Sequence, residues 1–268
     1  MIKSRKCNVL KKSQRDFNSS REFRDDKLII KIRLFGSLCD LTSGKYLFEF
    51  DPGINQTIKD CIERLGVPHT EVFFITLNGN FVDFSRIVCD GDLYCVYPEC
   101  DLPVEDRYIL TPKYLGEPKF VADIHLGKLV KYLRMLGIST VYGTIDDKLI
   151  IAKALETNAI ILTRDRNMLK ENVVKYGYVV RSDVPKIQLK ETIFRYGLIK
   201  YIKPFTRCME CNGNLVPILK AEIVNSVPER VLNTFNEFAK CSNCGKIYWG
   251  GSHYQNMSNF IRQFLNSL

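Results

Sequence analysis

The segment from Phe120 to Gly137, FVADIHLGKLVKYLRMLG, constrains the fold more than any other part of the chain. Phe120, Val121 and Ala122 form a short apolar run that stops at Asp123. The period then changes: Leu126, Leu129, Val130, Leu133 and Leu136 recur at the spacing of one helix face. Gly137 stands where a helix C-cap belongs. A buried strand therefore passes directly into a helix, with a carboxylate at the joint. Aspartate is a good N-cap, so Asp123 alone needs no further explanation.

The arrangement recurs downstream. Thr140–Val141–Tyr142 leads through Gly143 to Asp146 and Asp147, which open a segment carrying Leu149, Ile150, Ala154 and Leu155. Ala159 to Thr163 is apolar enough for a strand buried on both faces; it ends in Arg164–Asp165, with Met168 and Leu169 expected to begin a helix. Tyr178–Val179–Val180 ends in Arg181–Ser182–Asp183 before another amphipathic segment. Strands alternating with helices predict a parallel sheet with right-handed crossovers. All the strand carboxyl ends then share one edge, where ligands bind. Carboxylates gathered there repel one another unless a cation lies among them, and hard oxygen donors suit Mg²⁺ or Mn²⁺. Two readings stand: a row of helix caps, or a divalent-metal site.

FVADIHLGKLVKYLRMLG, the DD pair and ILTRDRNML, arriving in that order, resemble the Mut7-C RNase domain, a relative of the PIN nucleases. The resemblance implies Asp123, Asp147 and Asp165 as the acidic metal-binding set, Asp146 or Asp183 as a fourth member, and metal-dependent RNA hydrolysis. Ile138 and Ser139 depart from the family pattern, which has an aromatic residue and Asp there, but neither is a proposed ligand.

Charge is distributed unevenly. The net +9 divides into +6 over residues 1–24, −7 over residues 25–118 and +10 over residues 119–268. The part with the carboxylates is thus also basic, which suits a polyanion such as RNA. Lys128, Arg134, Arg164 and Arg166 flank the acidic positions and are candidate phosphate contacts; for Arg134 a contact to one of the Asp residues or a solvent-facing charge is the alternative. No apolar run reaches the roughly 18 residues of a membrane span, and no secretory apolar region follows Met1.

Cys208–x₂–Cys211 and Cys241–x₂–Cys244, each followed by turn residues, fit a four-cysteine zinc ribbon. The long intervening segment, with Val227–Pro228, points to an inserted elaboration. His253 is not needed as a ligand. Trp249, in Tyr248-Trp249-Gly250-Gly251, is expected in the ribbon's small core, with base stacking as the alternative. The remaining cysteines are scattered, which favours a reducing, cytoplasmic location. RCMECNGNL at 207–215 and YWGGSH at 248–253 extend the resemblance.

Residues 27–98 read as a separate α+β unit. Leu28–Leu34 and Tyr46–Phe50 are strands, Thr57 caps a helix through Leu65, and Phe73–Leu77, an Asn78–Gly79 turn and Leu93–Tyr97 follow. GVPHTEV, NGNFVDF and DGDLYCVYP resemble the ubiquitin-like domain found ahead of Mut7-C. The chain continues past Pro98–Glu99–Cys100 with no terminal Gly-Gly, so conjugation and sulphur transfer are not expected, and His69 is expected to be a structural loop residue.

The expected organisation is multidomain, α+β and α/β: a basic disordered tail at 1–26, a ubiquitin-like β-grasp at 27–98, a linker at 99–118, a PIN-like parallel-sheet nuclease core at 119–202, and a zinc ribbon with C-terminal tail at 203–268. The expected activity is that of a metal-dependent ribonuclease with catalytic Mg²⁺ or Mn²⁺ and structural Zn²⁺, RNA as substrate, and a protein partner reached through the grasp domain. A non-catalytic RNA-binding adaptor is the alternative.

Overall fold

A computed structural model describes residues 27–143 and 146–268. The basic tail expected at 1–26 lies outside the described residues. The chain divides after Leu110 into two compact units.

The first unit is built on β1 (Ile30–Leu34), whose alternation buries Ile30, Ile32 and Leu34 and exposes Lys31 and Arg33. β2 (Leu47–Phe50) pairs with it antiparallel. α1 (Ile58–Arg64) begins at a capping box in which the Thr57 hydroxyl accepts the Asp60 amide and the Asp60 carboxylate accepts the Thr57 amide; it buries Ile58, Cys61 and Ile62. β3 (Phe74–Leu77) and β4 (Asn80–Val82) form a hairpin whose turn, Asn78–Gly79, has both residues at positive φ, as that turn type demands. β5 (Leu93–Tyr97) completes the sheet, parallel to β1 and antiparallel to β3, in the order β2-β1-β5-β3-β4. This is a β-grasp with one strand, β4, beyond the ββαββ order read from the sequence. His69 contacts Glu63 through Nδ1 at 2.8 Å, a local structural role.

The expected linker is not a free connection. Tyr108 stacks on Phe81 at 4.2 Å and the Leu110 amide donates to Phe73 O, so residues up to 110 extend the first unit. Tyr114 donates to Asn158 O and Tyr201 donates to Gly116 O, which fastens residues 111–118 to the second.

The second unit contains β6 (Phe120–Ala122), α2 (Gly127–Met135), β7 (Thr140–Tyr142), α3 (Asp147–Thr157), β8 (Ile160–Thr163), β9 (Gly177–Val179) and α4 (Pro185–Tyr196). The four strands are parallel, in the order β7-β6-β8-β9. Phe120, Ala122, Ile160, Leu162 and Tyr178 point to one face, where Leu126, Leu129 and Leu133 lead α2 and Leu189 and Ile193 lead α4 into a common core. α3 covers the opposite face, with Ala154 beside Ile161. Met168–Lys170 is only a 3₁₀ turn, not the helix expected: two apolar residues do not provide a face for a longer one to bury.

The C-terminal part is woven into this core. β10 (Leu215–Ile218), β11 (Phe238–Cys241) and β12 (Ile247–Trp249) make an antiparallel sheet, with α5 (Glu229–Thr234) in the inserted segment. Ile223, Leu232 and Phe238 form its own small cluster. α6 (Ser252–Leu265) then returns to the main core, burying Ile261 and Phe264 and stacking Phe260 on Tyr132 of α2 at 4.7 Å. The segment expected as a tail is therefore a structural helix. The chain entering the ribbon also caps α2: the Lys203 and Phe205 amides donate to Leu136 O and Met135 O, carbonyls that a helix end leaves without intrahelical partners.

Candidate functional site

In the order β7-β6-β8-β9 the crossover from β6 runs one way and that from β8 the other, so the space outside the ends of β6 and β8 is the sheet's switch point. Asp123 follows β6 and Asp165 follows β8 by two residues. They are joined by Thr163, whose hydroxyl donates to Asp123 Oδ2 at 3.0 Å and accepts from the Asp165 amide at 2.9 Å. Asp123 is buried, and its Oδ1 lies 3.1 Å from the His125 amide and 2.9 Å from His125 Nδ1.

Asp146 and Asp147 arrive from the β7 side. Asp146 is the N-cap of α3, accepting the Lys148 amide at 2.8 Å, and Asp147 occupies the first helical position. Loss of solvent, then the carboxylates of Asp165, Asp123 and Asp146, hold the Asp147 carboxyl above its ordinary range. Asp147 thus senses the charges of the other three. Asp183 stands apart, past β9, in an ion pair with Arg164.

Capping and clustering turn out not to be exclusive. Asp123, Asp146 and Asp165 each accept an amide two residues on, from His125, Lys148 and Asn167. That contact fixes each carboxylate at its strand or helix end.

Lys128 is exposed on the first turn of α2, Arg166 is partly exposed beside Asp165, and Arg164 is exposed but paired to Asp183. Arg134 differs from the readings made from the sequence. It is not a contact to phosphate or to one of the Asp residues, nor a solvent-facing charge: it is 4% exposed. Its Nε donates to Thr140 O at 3.0 Å, and its Nη1 donates to Met209 O at 3.0 Å and to Glu210 O at 2.7 Å.

Three residues at this edge escape a search for acids. Thr163 and His125 touch Asp123 as described. Tyr142, ending β7, donates its hydroxyl to Ile124 O at 2.9 Å. It does so over Gly127, where a Cβ would lie 2.7 Å from the phenol oxygen. Their signal in the sequence is only proximity to the Asp motifs.

The sulfurs of Cys208, Cys211, Cys241 and Cys244 all lie within 4.8 Å of one another. Gly213 permits this, since a Cβ there would stand 2.7 Å from Cys241 Sγ. The Asn243 and Cys244 amides donate to Cys241 Sγ at 3.4 Å, and Tyr248 Oη lies 3.0 Å from Cys208 Sγ. Burial opposes ionisation of Cys211, but the Gly213 amide and neighbouring donors bring its thiol down to about 6. Cys244 is pushed up by the thiols around it, despite the Lys246 amide. Four soft donors at this separation fit tetrahedral zinc. Trp249 is half-exposed at the end of β12, with its indole against Gly251.

Comparison with known proteins agrees with this architecture. The Mut7-C ubiquitin domain matches residues 45–102 and the Mut7-C RNAse domain matches residues 118–261. Among curated proteins none matches. Among solved structures, the H. volcanii small archaeal modifier protein 1 is similar at 17% identity over 27% of this chain and 99% of its own, with a TM-score of 0.24. A putative molybdopterin converting factor subunit 1 from Pyrococcus furiosus is similar at 21% identity with the same coverage and TM-score. The RNAse-domain match takes in more than half of the residues, and the chain belongs to the Mut7-C RNAse domain family.

Proposed function

We propose that the chain is a metal-dependent ribonuclease that hydrolyses RNA phosphodiester bonds at the edge formed by β6, β7 and β8. The observation that carries this reading is the group Asp123–Thr163–Asp165, with Asp147 raised by loss of solvent and then by the charges of its acidic neighbours. The hard oxygens of such a set fit one or two Mg²⁺ or Mn²⁺ ions. Asp123, Asp147 and Asp165 are the proposed ligands, with Asp146 at the margin. An ion held there would supply an acidified water and positive charge for the phosphate and leaving oxygen. Thr163 fixes the spacing between Asp123 and Asp165, and His125 orients Asp123. Lys128 and Arg166 are the proposed phosphate contacts, while the Arg164–Asp183 pair borders the site. The cysteine knuckle holds a structural zinc, and the ribbon contributes to RNA binding. The grasp unit is proposed to recruit a protein partner. We assign the protein to a reducing cytoplasm on the scatter of its cysteines outside the two close pairs; no helix among the described residues is long and apolar enough to cross a membrane.

A second reading, a non-catalytic RNA-binding adaptor, is favoured by one observation: Asp123 and Asp146 already serve as N-caps, and Asp165 accepts the Asn167 amide in a similar turn. Asp165→Asn and Asp123→Asn separate the two, because Asn caps about as well as Asp but holds a divalent ion poorly. Cleavage of single-stranded RNA that requires added Mg²⁺ or Mn²⁺ and disappears in both variants supports the nuclease. Absence of such cleavage by the wild type, or its persistence in both variants, supports the adaptor.

A further inference from the structure

Arg134 belongs to α2, the helix that leaves the Asp123 turn, yet two of its three hydrogen bonds end on the cysteine knuckle. Its Nη1 donates to Met209 O and Glu210 O, the two carbonyls between Cys208 and Cys211. Its Nε donates to Thr140 O, at the start of β7. A second link runs beside it. Asn212, which follows Cys211, accepts the Thr140 amide at 2.9 Å through Oδ1 and donates to Ser139 Oγ at 3.1 Å through Nδ2. Asn212 holds a left-handed backbone, φ 66°, which Asn tolerates better than most residues. The first residue of β7 is thus held at its N–H by one side of the knuckle, and at its C=O by an arginine that also holds the other side.

Placing a guanidinium in this position is costly. Burial disfavours its charge, and the opposing influences on it are the Cys208 and Cys211 thiols, the Glu210 carboxylate and the Tyr142 hydroxyl. Zinc bound by four thiolates carries a formal charge of about −2. A buried arginine gripping the carbonyls between two of those ligands is the kind of partner that such a centre lacks within its own knuckle. The fork-shaped guanidinium also satisfies carbonyls in a fixed geometry, which an ammonium cannot reproduce.

We propose that Arg134 is the buried counter-charge of the four-cysteine metal centre and, with Asn212, links its occupancy to the order of β7. This inference rests on the zinc reading of the four cysteines and not on the nuclease reading. Arg134 acts through other residues and is a positioning residue.

The test uses the full chain loaded with zinc. Release of zinc to a chromogenic chelator is timed for wild type, Arg134→Met, which keeps apolar volume without charge, and Arg134→Lys, which keeps charge without the fork. Loss of a partner that orients metal ligands lowers metal affinity about 10- to 100-fold. Arg134→Met is expected to release zinc faster by that order, with Arg134→Lys between it and wild type. Hydrogen exchange at the Thr140 to Tyr142 amides is followed before and after zinc removal; in wild type, removal is expected to speed it. A merely structural arginine would alter unfolding and leave the order of the three release rates unmoved. Should Arg134→Met fail to fold, Asn212→Gly, which retains the left-handed backbone, is expected to quicken both zinc release and β7 exchange. Equal release rates from fully loaded folded variants, or β7 exchange indifferent to zinc, overturn the inference alone. A wild-type chain that binds no zinc overturns it together with the zinc reading.

Discussion

Asp123 and Asp165 come from strands separated by some forty residues of sequence, yet only the Thr163 hydroxyl intervenes between the Asp123 carboxylate and the Asp165 backbone amide. That hydroxyl donates to Asp123 and accepts from the Asp165 amide, so the Asp123 carboxylate and the Asp165 backbone are tied to one side chain. Thr163→Val keeps the volume and removes both bonds. A buried polar group left without its partner costs roughly 1–3 kcal/mol, so this variant should lose about that much stability in chemical denaturation. If the acids form the reactive centre, RNA cleavage should fall as well. Thr163→Ser, which retains the hydroxyl, should restore cleavage. Equal activity in Val and Ser variants would show that the bridge serves packing alone.

The acids themselves should respond oppositely in stability and in activity. Loss of solvent and the charges of Asp165, Asp123 and Asp146 raise Asp147, so in the metal-free protein its ionised form is disfavoured. Asp147→Asn should therefore leave the metal-free protein as stable as wild type or slightly more so, while cleavage is lost. Added Mn²⁺ should raise the melting temperature of wild type and have little effect on the variant. A clear loss of stability in metal-free Asp147→Asn would argue that Asp147 is a structural cap.

These carboxylates were legible in the sequence because a strand that stops at Asp before a helical period is a local pattern. What was not legible is long-range. Arg134 sits on a helix whose spacing says only that it is a helix; its partners Met209 and Glu210 come 75 and 76 residues later, and no local rule links them. Burial of a guanidinium becomes visible only when those carbonyls are found. α6 is a different case: Met257, Phe260, Ile261 and Phe264 have helical spacing, but the glycines and aromatics just before them suggested the end of a ribbon. The Met168–Lys170 segment failed the other way, with two apolar residues mistaken for the start of a face.

Gly137 should be among the least tolerant positions in the second unit. It ends α2 with φ +85°, and a Cβ there would stand 2.1 Å from Lys203 O. The same crossing lets the Lys203 amide cap Leu136 O. Gly137→Ala combines left-handed strain with a backbone clash, and each costs of order 1–3 kcal/mol. A loss of roughly 2–4 kcal/mol is expected in denaturation followed by Trp249, the sole tryptophan and a residue of the second unit. A loss below 1 kcal/mol would mean that the segment at 203–206 can retreat.

Glu191 gives the second unit a proton-linked stability. Burial raises its carboxyl above the ordinary 4.5, and the Ser182 and Arg181 amides, the Arg181 charge and the Tyr178 hydroxyl only partly oppose this. A carboxyl raised in the folded state binds its proton more tightly there than in the unfolded chain. Its contribution is therefore fully present below pH 4.5 and is lost as pH rises through the raised folded value. Glu191→Gln stays neutral throughout. The stability of the variant relative to wild type should therefore be greater at pH 8 than at pH 4. The check is denaturant titration of both proteins at the two pH values, and a difference that does not change with pH would remove Glu191 from the linkage.

The C-terminal helix should prove indispensable to the sheet that carries the acids. α6 contributes Ile261 and Phe264 to the same cluster as Phe120 and Leu162 on β6 and β8, and as Leu129 and Leu133 on α2. Phe260 adds a stacked contact with Tyr132 at 4.7 Å. Full burial of one such side chain is worth about 1.5–3 kcal/mol, and cutting it back to Ala costs roughly 2–5 kcal/mol. Ile261→Ala and Phe264→Ala should each destabilise by that order, whereas Gln263→Ala, at an exposed neighbour, should change stability by less than about 0.5 kcal/mol. Ending the chain at Gly251 removes all three contacts at once and approaches the whole stability of an ordinary domain. The truncated protein should lose cooperative unfolding of the second unit even with four cysteines and every acid intact. A dispensable tail would instead leave a folded, zinc-binding protein with unchanged denaturation. Measuring zinc content, the Trp249 transition and cleavage on the same truncated sample decides between them, because an independent ribbon would keep its zinc while the sheet came apart.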